Sequence, residues 1–369
     1  MQRPIVCIIA TLLLIVHARP VWSAPLLTHG SNITISGSGF GTRTVVKDIF
    51  DDCTSASVSD LWNDATNYSY MTPAALGRGI PLPHGNITRY AVGNQTGGSG
   101  YNAWLSTYVT GLTYPTNLFC MSYRRVDPNW TFGALCDSGD GDNNYKFFTV
   151  SAGASWFVDP YWYHSTTNQK CTLSSDWQNN FYSSGGLGNL NTAYTGSQGG
   201  SSDSDYDLWT GWRKVEYRIG LGSSSQILKY LTNNKYYQNL TNQNTFNAGG
   251  KDGAFSIGTY SRQYGGANHY NYQADIVMVI GPDAFKRVIL SNNATYTSST
   301  IVEYQPVVSW SDTSITVKGN IGAIPNGTAY LHVFVDASDT PEQTTAVTIA
   351  STSPTMSGAT CSGCSLNVP

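Results

Sequence analysis

Short runs of alternating apolar and polar residues recur along this chain, and Gly, Asn, Ser, Thr and Tyr separate them. Alternation with a period of two predicts β-strands that pack one face and leave the other in water. We find no window that keeps the i, i+3, i+4, i+7 apolar spacing of an amphipathic helix. The sequence therefore predicts an all-β protein made of antiparallel sandwiches.

The clearest predicted strands lie in the middle of the chain. Residues 118–126 place Arg124 on the polar face of a strand, and residues 213–221 place Glu216 and Arg218 on another. We expect such polar faces to stay in contact with water, so that Arg124 and Arg218 could face one groove. Further predicted strands cover residues 145–150, 227–231, 236–240 and 273–280.

The two ends of the chain complement each other. Residues 33–42 predict a strand and a Gly-rich turn that are too short to fold alone, while residues 287–290, 314–317 and 328–335 predict strands near the other end. A small sandwich needs its first strand from elsewhere in the chain. The sequence therefore predicts a discontinuous outer domain of residues 24–46 and 285–350, with residues 47–284 inserted and residues 351–369 as a tail.

Two segments resemble known folds. ITISGSGFGT (33–42) resembles the opening of an IPT/TIG domain, an immunoglobulin-like β-sandwich, and WSDTSITV (310–317) resembles its middle. The inserted region is similar to concanavalin A-like lectin/glucanase jelly rolls of the laminin-G-like and polysaccharide-lyase kinds, through Asp51, Asp52, NNYKFF (143–148) and WRKVEYR (212–218). The resemblance implies a jelly roll inserted in a smaller immunoglobulin-like sandwich, and it leaves the function open, because neither fold dictates an activity.

The N-terminus has the pattern of a signal peptide. Arg3 precedes an apolar run over residues 5–16, and Val21 and Ser23 suit cleavage after Ser23. The run is shorter than the roughly 20 residues of a membrane-spanning helix. We therefore expect residues 1–23 to be removed and the mature chain to be secreted, with no membrane span.

The charge balance argues against a nucleic-acid partner. The formal net charge is −3 for the whole chain, charged residues make up 12%, and the Lys and Arg residues do not cluster. Binding to a phosphate backbone needs a basic patch.

Cysteine and aspartate supply further candidate sites. Six cysteines follow the predicted leader, and an even number in an exported chain predicts disulfides. We predict the bridges Cys120–Cys136 and Cys361–Cys364, although the sequence leaves other pairings open. The acidic, Gly-rich segment with Asp137, Asp140 and Asp142 is a candidate calcium site, because Ca²⁺ prefers hard oxygen ligands. We expect the protein to require no cofactor.

Non-catalytic glycan binding is the function that we predict. Aromatic rings can stack on sugar rings, while amide and hydroxyl groups bond the sugar hydroxyls. The candidate binding residues are Trp156, Tyr161, Trp162, Tyr163, His269 and Tyr270. The expected partner is an extracellular polysaccharide or glycoconjugate.

Two alternatives stay open. A polysaccharide lyase would use Arg124 or Arg218 to neutralise a uronate carboxylate, with His164 or a Tyr removing the proton in a β-elimination. A glycoside hydrolase is disfavoured, because the chain has only three Glu residues and they are far apart in sequence. The second alternative is a structural surface or adhesion protein.

Overall fold

The computed structural model describes residues 24–95, 101–127, 144–152, 155–163, 180–184, 211–231, 235–243, 245, 253–262 and 269–350. Within these residues the secondary structure is almost entirely β. The first ten strands are β1 (Leu26–Leu27), β2 (Asn32–Ser36), β3 (Lys47–Asp51), β4 (Tyr68–Met71), β5 (Tyr90–Gln95), β6 (Tyr101–Val109), β7 (Thr116–Val126), β8 (Asn144–Ala152), β9 (Ser155–Tyr163) and β10 (Asn180–Ser184).

The later strands follow at short intervals. They are β11 (Arg213–Leu221), β12 (Ser225–Leu231), β13 (Lys235–Gln243), β14 (Gly253–Arg262), β15 (His269–Gly281), β16 (Arg287–Ser291), β17 (Val302–Gln305), β18 (Val307–Trp310), β19 (Ser314–Lys318), β20 (Gly327–Phe334) and β21 (Gln343–Ile349). The described helices are single turns at Val58–Asp60, Pro73–Leu76 and Tyr296–Ser298. None of the described helices is long and apolar enough to cross a bilayer.

The strands form two stacked pairs of sheets. The central sheet has the order β13-β12-β11-β7-β15-β5-β4, and β3 also pairs with β15. The cover sheet has the order β10-β9-β8-β14-β6. The outer sandwich consists of the sheets β1-β21-β20-β16-β17 and β18-β19-β2.

Strands from both ends of the chain meet in the outer sandwich. Leu26 and Leu27 of β1 pair in parallel with β21, and β2 pairs antiparallel with β19. Leu27, Ile35 and Leu331 share one apolar core there. The predicted fold class is therefore confirmed, because the protein is all-β and a larger sandwich is inserted into a smaller one. The exact domain bounds stay a prediction.

The central sheet is buried on both faces. On its inner face, Leu118 and Ile219 pack with Leu105 and Phe255 of the cover sheet. Residues of its outer face pack against the outer sandwich: Phe119, Met121 and Val279 lie in one cluster with Ile289, Tyr304 and Phe334. Fully burying one such side chain contributes about 1.5–3 kcal/mol, so both contacts hold the layers together.

The outer face of the central sheet corrects one expectation from the sequence. Lys214, Glu216 and Arg218 alternate along β11 as predicted, yet they are 5%, 2% and 1% exposed. The outer sandwich covers them and supplies partners. Arg218 donates to Glu216 Oε1 at 2.6 Å and to Asp339 Oδ1 at 2.8 Å. The polar face of β11 is therefore the boundary between two packed layers, not a wet surface.

The register also corrects the expectation that Arg124 and Arg218 face one groove. Arg218 of β11 lies opposite Phe119 of β7, whereas Arg124 of β7 lies opposite Arg213 of β11. Arg124 is an even number of residues from Cys120 on β7, so the two side chains share a face. Since successive side chains of a strand point to opposite faces, Arg124 belongs to the inner face and Arg218 to the outer face.

The predicted Cys120–Cys136 bridge needs correction as well. Cys120 has a free, buried thiol on the inner face of the central sheet, and so does Cys53. Burial raises the pKa of the Cys120 thiol to about 12, so it stays protonated and unreactive at neutral pH. Cys136, Cys361 and Cys364 lie outside the described residues.

Candidate functional site

Six polar side chains gather on the inner face of the central sheet, where a sandwich core would ordinarily be apolar. We call them the inner polar cluster. They come from β4, β7, β11 and β15, and each is less than 9% exposed. The members are Tyr68, Ser122, Arg124, Tyr217, Asn271 and Gln273.

Strand register brings this cluster together. Gln273 of β15 lies opposite Arg124 of β7, and Asn271 lies opposite Gly93 of β5, which in turn lies opposite Tyr68 of β4. A Cβ atom at Gly93 would meet the Tyr68 ring at 2.8 Å and would also clash with the Asn271 amide. Glycine at this position therefore makes room for both side chains.

Arg124 is held by neighbours on its own and the adjacent strand. Its Nε donates to Ser122 Oγ at 2.9 Å, and its Nη1 donates to the Tyr217 hydroxyl at 3.1 Å. The guanidinium carbon also lies 5.2 Å from the centre of the Tyr217 ring. A buried guanidinium is costly unless it is well bonded, so its orientation is fixed by these contacts.

Tyr68 connects the other half of the cluster. Gln273 Nε2 donates to its hydroxyl at 3.0 Å, and the hydroxyl donates to Asn271 Oδ1. Gln273 Oε1 is buried and has no hydrogen-bond partner among the described residues. Burial raises the pKa of Tyr68 well above its ordinary value, although Gln273 and Arg124 counteract this rise. The phenol therefore acts as a hydrogen-bond donor at neutral pH.

The chemistry of the cluster suits an oxygen-rich acidic ligand. A guanidinium can bind a carboxylate through two parallel hydrogen bonds. Hydroxyl and amide groups beside it can bond to sugar hydroxyls. Buried polar groups in an otherwise apolar core mark the places where a sequence departs from simple packing rules, which are often functional sites.

Comparison with known proteins gives weak likenesses only. No protein-family model matches the chain, and no curated protein matches it. An endo-β-1,4-glucuronan lyase from the fungus Trichoderma reesei aligns with 11% identity over 65% of this chain and 99% of its own, with a TM-score of 0.38. The binding domain of botulinum neurotoxin serotype G aligns with 10% identity over 78% of this chain and 74% of its own, with a TM-score of 0.28. Scores this low carry no functional argument.

The sequence-predicted glycan residues are placed only in part. Trp156, Tyr161, Trp162 and Tyr163 lie on β9, which pairs with β8 and β10 in the cover sheet. His269 begins β15 and lies opposite Gln95.

Tyr270 follows His269 on β15 and is half-buried, with the Arg78 guanidinium 4.1 Å above its ring. Alternation along β15 puts Tyr270 on the face opposite Asn271, so it does not join the inner polar cluster.

Other candidates lie outside the described residues: His164 for the lyase, and Asp137, Asp140 and Asp142 for calcium. Within the described part of the chain, His, Cys, Asp and Glu side chains form no group of three or more that could hold a metal ion. The calcium site therefore stays a prediction from the sequence.

Sequence reasoning selected Arg124 but missed Tyr68, Tyr217, Asn271 and Gln273 as its companions. A signal was present in β15, where Asn271 and Gln273 occupy alternate positions just before the apolar run 276–280. Two amides on one face at the start of a core strand indicate a local polar site.

A second group of charged side chains lies between the central sheet and the outer sandwich. Glu303 accepts from Lys214 Nζ, from the Tyr123 hydroxyl at 2.5 Å and from the Ala323 amide at 2.9 Å. Lys214 Nζ also donates to the Val302 carbonyl. Lys214 and Tyr123 of the central sheet donate to Glu303 and Val302 of the outer sandwich, so the group joins the two layers.

A histidine–aspartate pair lies in the same boundary. His84 Nε2 lies 2.8 Å from Asp275 Oδ2, and both side chains are buried. Burial would raise the pKa of Asp275, but the hydrogen bond and charge of His84, with the charge of Lys214, lower it overall. Asp275 therefore stays ionised in the folded protein.

Proposed function

We propose that this protein is secreted and binds an acidic extracellular polysaccharide or glycoconjugate without cleaving it, through the inner polar cluster. The observation that carries the proposal is the Arg124 guanidinium held on the inner face among hydroxyl and amide groups. This set offers a cation for a sugar carboxylate and neutral groups for sugar hydroxyls.

The raised pKa of Tyr68 favours binding over catalysis. A lyase needs a base that removes a proton from the sugar ring, and a phenol whose pKa lies far above neutral supplies almost no phenolate. The lyase remains the second candidate, because Arg124 and Tyr68 lie in one cluster, as uronate β-elimination requires of an arginine and a tyrosine. The third candidate is a structural adhesion role.

The burial of the cluster sets how a ligand would reach it. Arg124 is 0% exposed and Tyr68 is 7% exposed. A sugar would therefore contact them only after the residues above the inner face move. We expect the observed rate of binding to be low and to reach a plateau as the ligand concentration rises.

The chain is organised as a leader and two modules in this proposal. Residues 1–23 act as the signal peptide, residues 24–46 and 285–350 form an IPT/TIG-like attachment module, and residues 47–284 form the concanavalin A-like recognition module. The pairing of β2 with β19 supports this division.

The test compares Arg124→Gln and Arg124→Lys with the unmodified protein on an array of neutral and uronic-acid polymers. A hydrogen bond to a charged group contributes about 1.5–3 kcal/mol, so Arg124→Gln should weaken uronate binding at least about tenfold, and Arg124→Lys should weaken it less. Arg43→Gln is the control, since the Arg43 side chain is also largely buried but lies away from the cluster, where it pairs with Asp48 at 2.6 Å.

Near-ultraviolet circular dichroism shows whether each variant is folded. Unchanged uronate binding by folded Arg124→Gln would overturn the proposal. If the unmodified protein generates the ultraviolet absorbance of an unsaturated uronate and Arg124→Gln does not, the lyase is correct. Absence of both binding and product favours the structural role.

A further inference from the structure

A cavity lies at the other end of the central sheet, where β7 begins and β12 follows β11. Its volume is about 250 Å³, and it opens between the central sheet and the outer sandwich. We call it the junction pocket. Thr116, Asn117, Ser225 and Gln226 line one part of it, and Phe285 lines another.

The lining of the junction pocket combines an aromatic ring with hydroxyl and amide groups. The apolar face of a sugar ring can pack on Phe285, and its hydroxyls can bond to the side chains of Asn117, Ser225 and Gln226. Thr116 shares the inner face of β7 with Leu118, so its buried hydroxyl does not face the pocket.

The charge of the junction pocket favours an uncharged ligand. Arg218 lines the pocket, but its guanidinium already donates to Glu216 Oε1 and Asp339 Oδ1. It also donates to the carbonyl oxygens of Ala337 and Ser338. With two carboxylates on one guanidinium, the pocket presents no excess positive charge to an acid.

The size of the cavity limits the ligand. Pockets that hold drug-sized molecules measure about 300–1,000 Å³, and the junction pocket is smaller at about 250 Å³. One six-membered sugar ring therefore fits, whereas an internal stretch of several rings does not.

We propose that the junction pocket binds one uncharged pyranose, as the end or a side branch of a glycan. This site is separate from the inner polar cluster and lies at the opposite end of the central sheet. It gives the protein a second binding site, which recognises the hydroxyl groups of an uncharged sugar.

The experiment measures saturation-transfer NMR and titration calorimetry on the full mature protein with the methyl glycosides of glucose, galactose, mannose and glucuronic acid. We expect weak binding of at least one neutral glycoside. Ala337→Leu should abolish it by filling the pocket, while Ser223→Leu, which adds the same side chain at an exposed neighbouring position outside the lining, should leave it unchanged.

Gln226→Met supplies the sharper comparison, because it removes an amide of the lining and keeps an unbranched side chain of similar length. We expect a several-fold loss of affinity for the neutral glycoside, with a melting temperature close to that of the unmodified protein, because Gln226 is exposed. Unchanged affinity in both Gln226→Met and Ala337→Leu would overturn the proposal, as would the absence of any neutral glycoside signal. Binding of the glucuronide alone, lost in Arg124→Gln, would overturn it while supporting the inner polar cluster.

Discussion

Replacing Lys214 with Met should destabilise the contact between the central sheet and the outer sandwich. Lys214 and Glu303 form an ion pair whose side chains are 4% and 1% exposed. Met keeps an unbranched apolar side chain and removes the ammonium group. The Glu303 carboxylate would then keep the Tyr123 hydroxyl and the Ala323 amide as donors but would lose its counter-charge.

The expected loss follows from these contacts. Removing one partner of a buried ion pair costs about 3–5 kcal/mol, because the remaining charge is left uncompensated. The lost bond from Lys214 to the Val302 carbonyl adds roughly 1 kcal/mol, and the two donors that remain on Glu303 offset a similar amount. We therefore expect the free energy of unfolding to fall by about 3–5 kcal/mol, which is a large part of the 5–15 kcal/mol typical of a folded domain.

Urea denaturation followed by tryptophan fluorescence measures this loss. Lys286→Met is the matched control, since Lys286 pairs with Asp283 at 3.2 Å in a more exposed setting, and loss of such a pair costs about 0–1 kcal/mol. The double variant Lys214→Met with Glu303→Gln should recover part of the stability, because a neutral amide oxygen can still accept from its remaining donors.

Two outcomes would refute this reasoning. One is a Lys214→Met variant within about 1 kcal/mol of the unmodified protein, which would mean that water reaches the pair. The other is a double variant that is less stable than Lys214→Met alone, which would mean that the Glu303 charge is not the source of the loss.

Two further predictions concern the outer sandwich. Burial lowers the pKa of His332 to about 4, whereas His332 in the unfolded state binds a proton below about pH 6.5. The free energy of unfolding should therefore fall as the pH decreases from about 6.5 towards 4, and thermal melts of His332→Gln should show a weaker pH dependence. Gly322→Ala should lower the free energy of unfolding by several kcal/mol, because φ is +52° and a Cβ would meet Glu303 Oε2 at 2.5 Å. Gly77→Ala is the control: its φ is +67° but the space around it is open, so it should cost about 1 kcal/mol. Equal losses in urea denaturation would contradict the steric argument.

Much of the fold could be predicted from alternation alone. The predicted strand 213–221 coincides with β11, and the predicted strands 227–231 and 236–240 lie within β12 and β13. The short strands predicted near the two ends of the chain also predicted the outer sandwich, because a strand with no partner close in sequence must pair with a distant one.

The environment of each strand face could not be predicted in the same way. Alternation shows that β11 has two different faces, but it does not distinguish water from a second layer that carries opposite charges. Lys214 bonds to Glu303, which is 89 residues away in sequence, and Arg218 bonds to Asp339, which is 121 residues away. Local sequence contains no information on such distant partners.

The inner polar cluster shows the same limit. Arg124 was recognisable as a polar residue on a strand. Tyr68, however, bonds to Gln273, which is 205 residues away in sequence, because β4, β5 and β15 are neighbours in the sheet. The composition of a site therefore depends on strand order, which the sequence pattern does not specify.

The pairing of β2 with β19 has a consequence during synthesis. Thr34 bonds to Thr316, which lies 282 residues further along the chain, so β2 has no partner strand until those residues have been synthesised. Contacts of such long range form slowly and leave unpaired strand edges exposed in the meantime. A nascent chain of this kind would benefit from a chaperone that shields residues 26–36 until β19 and β21 arrive.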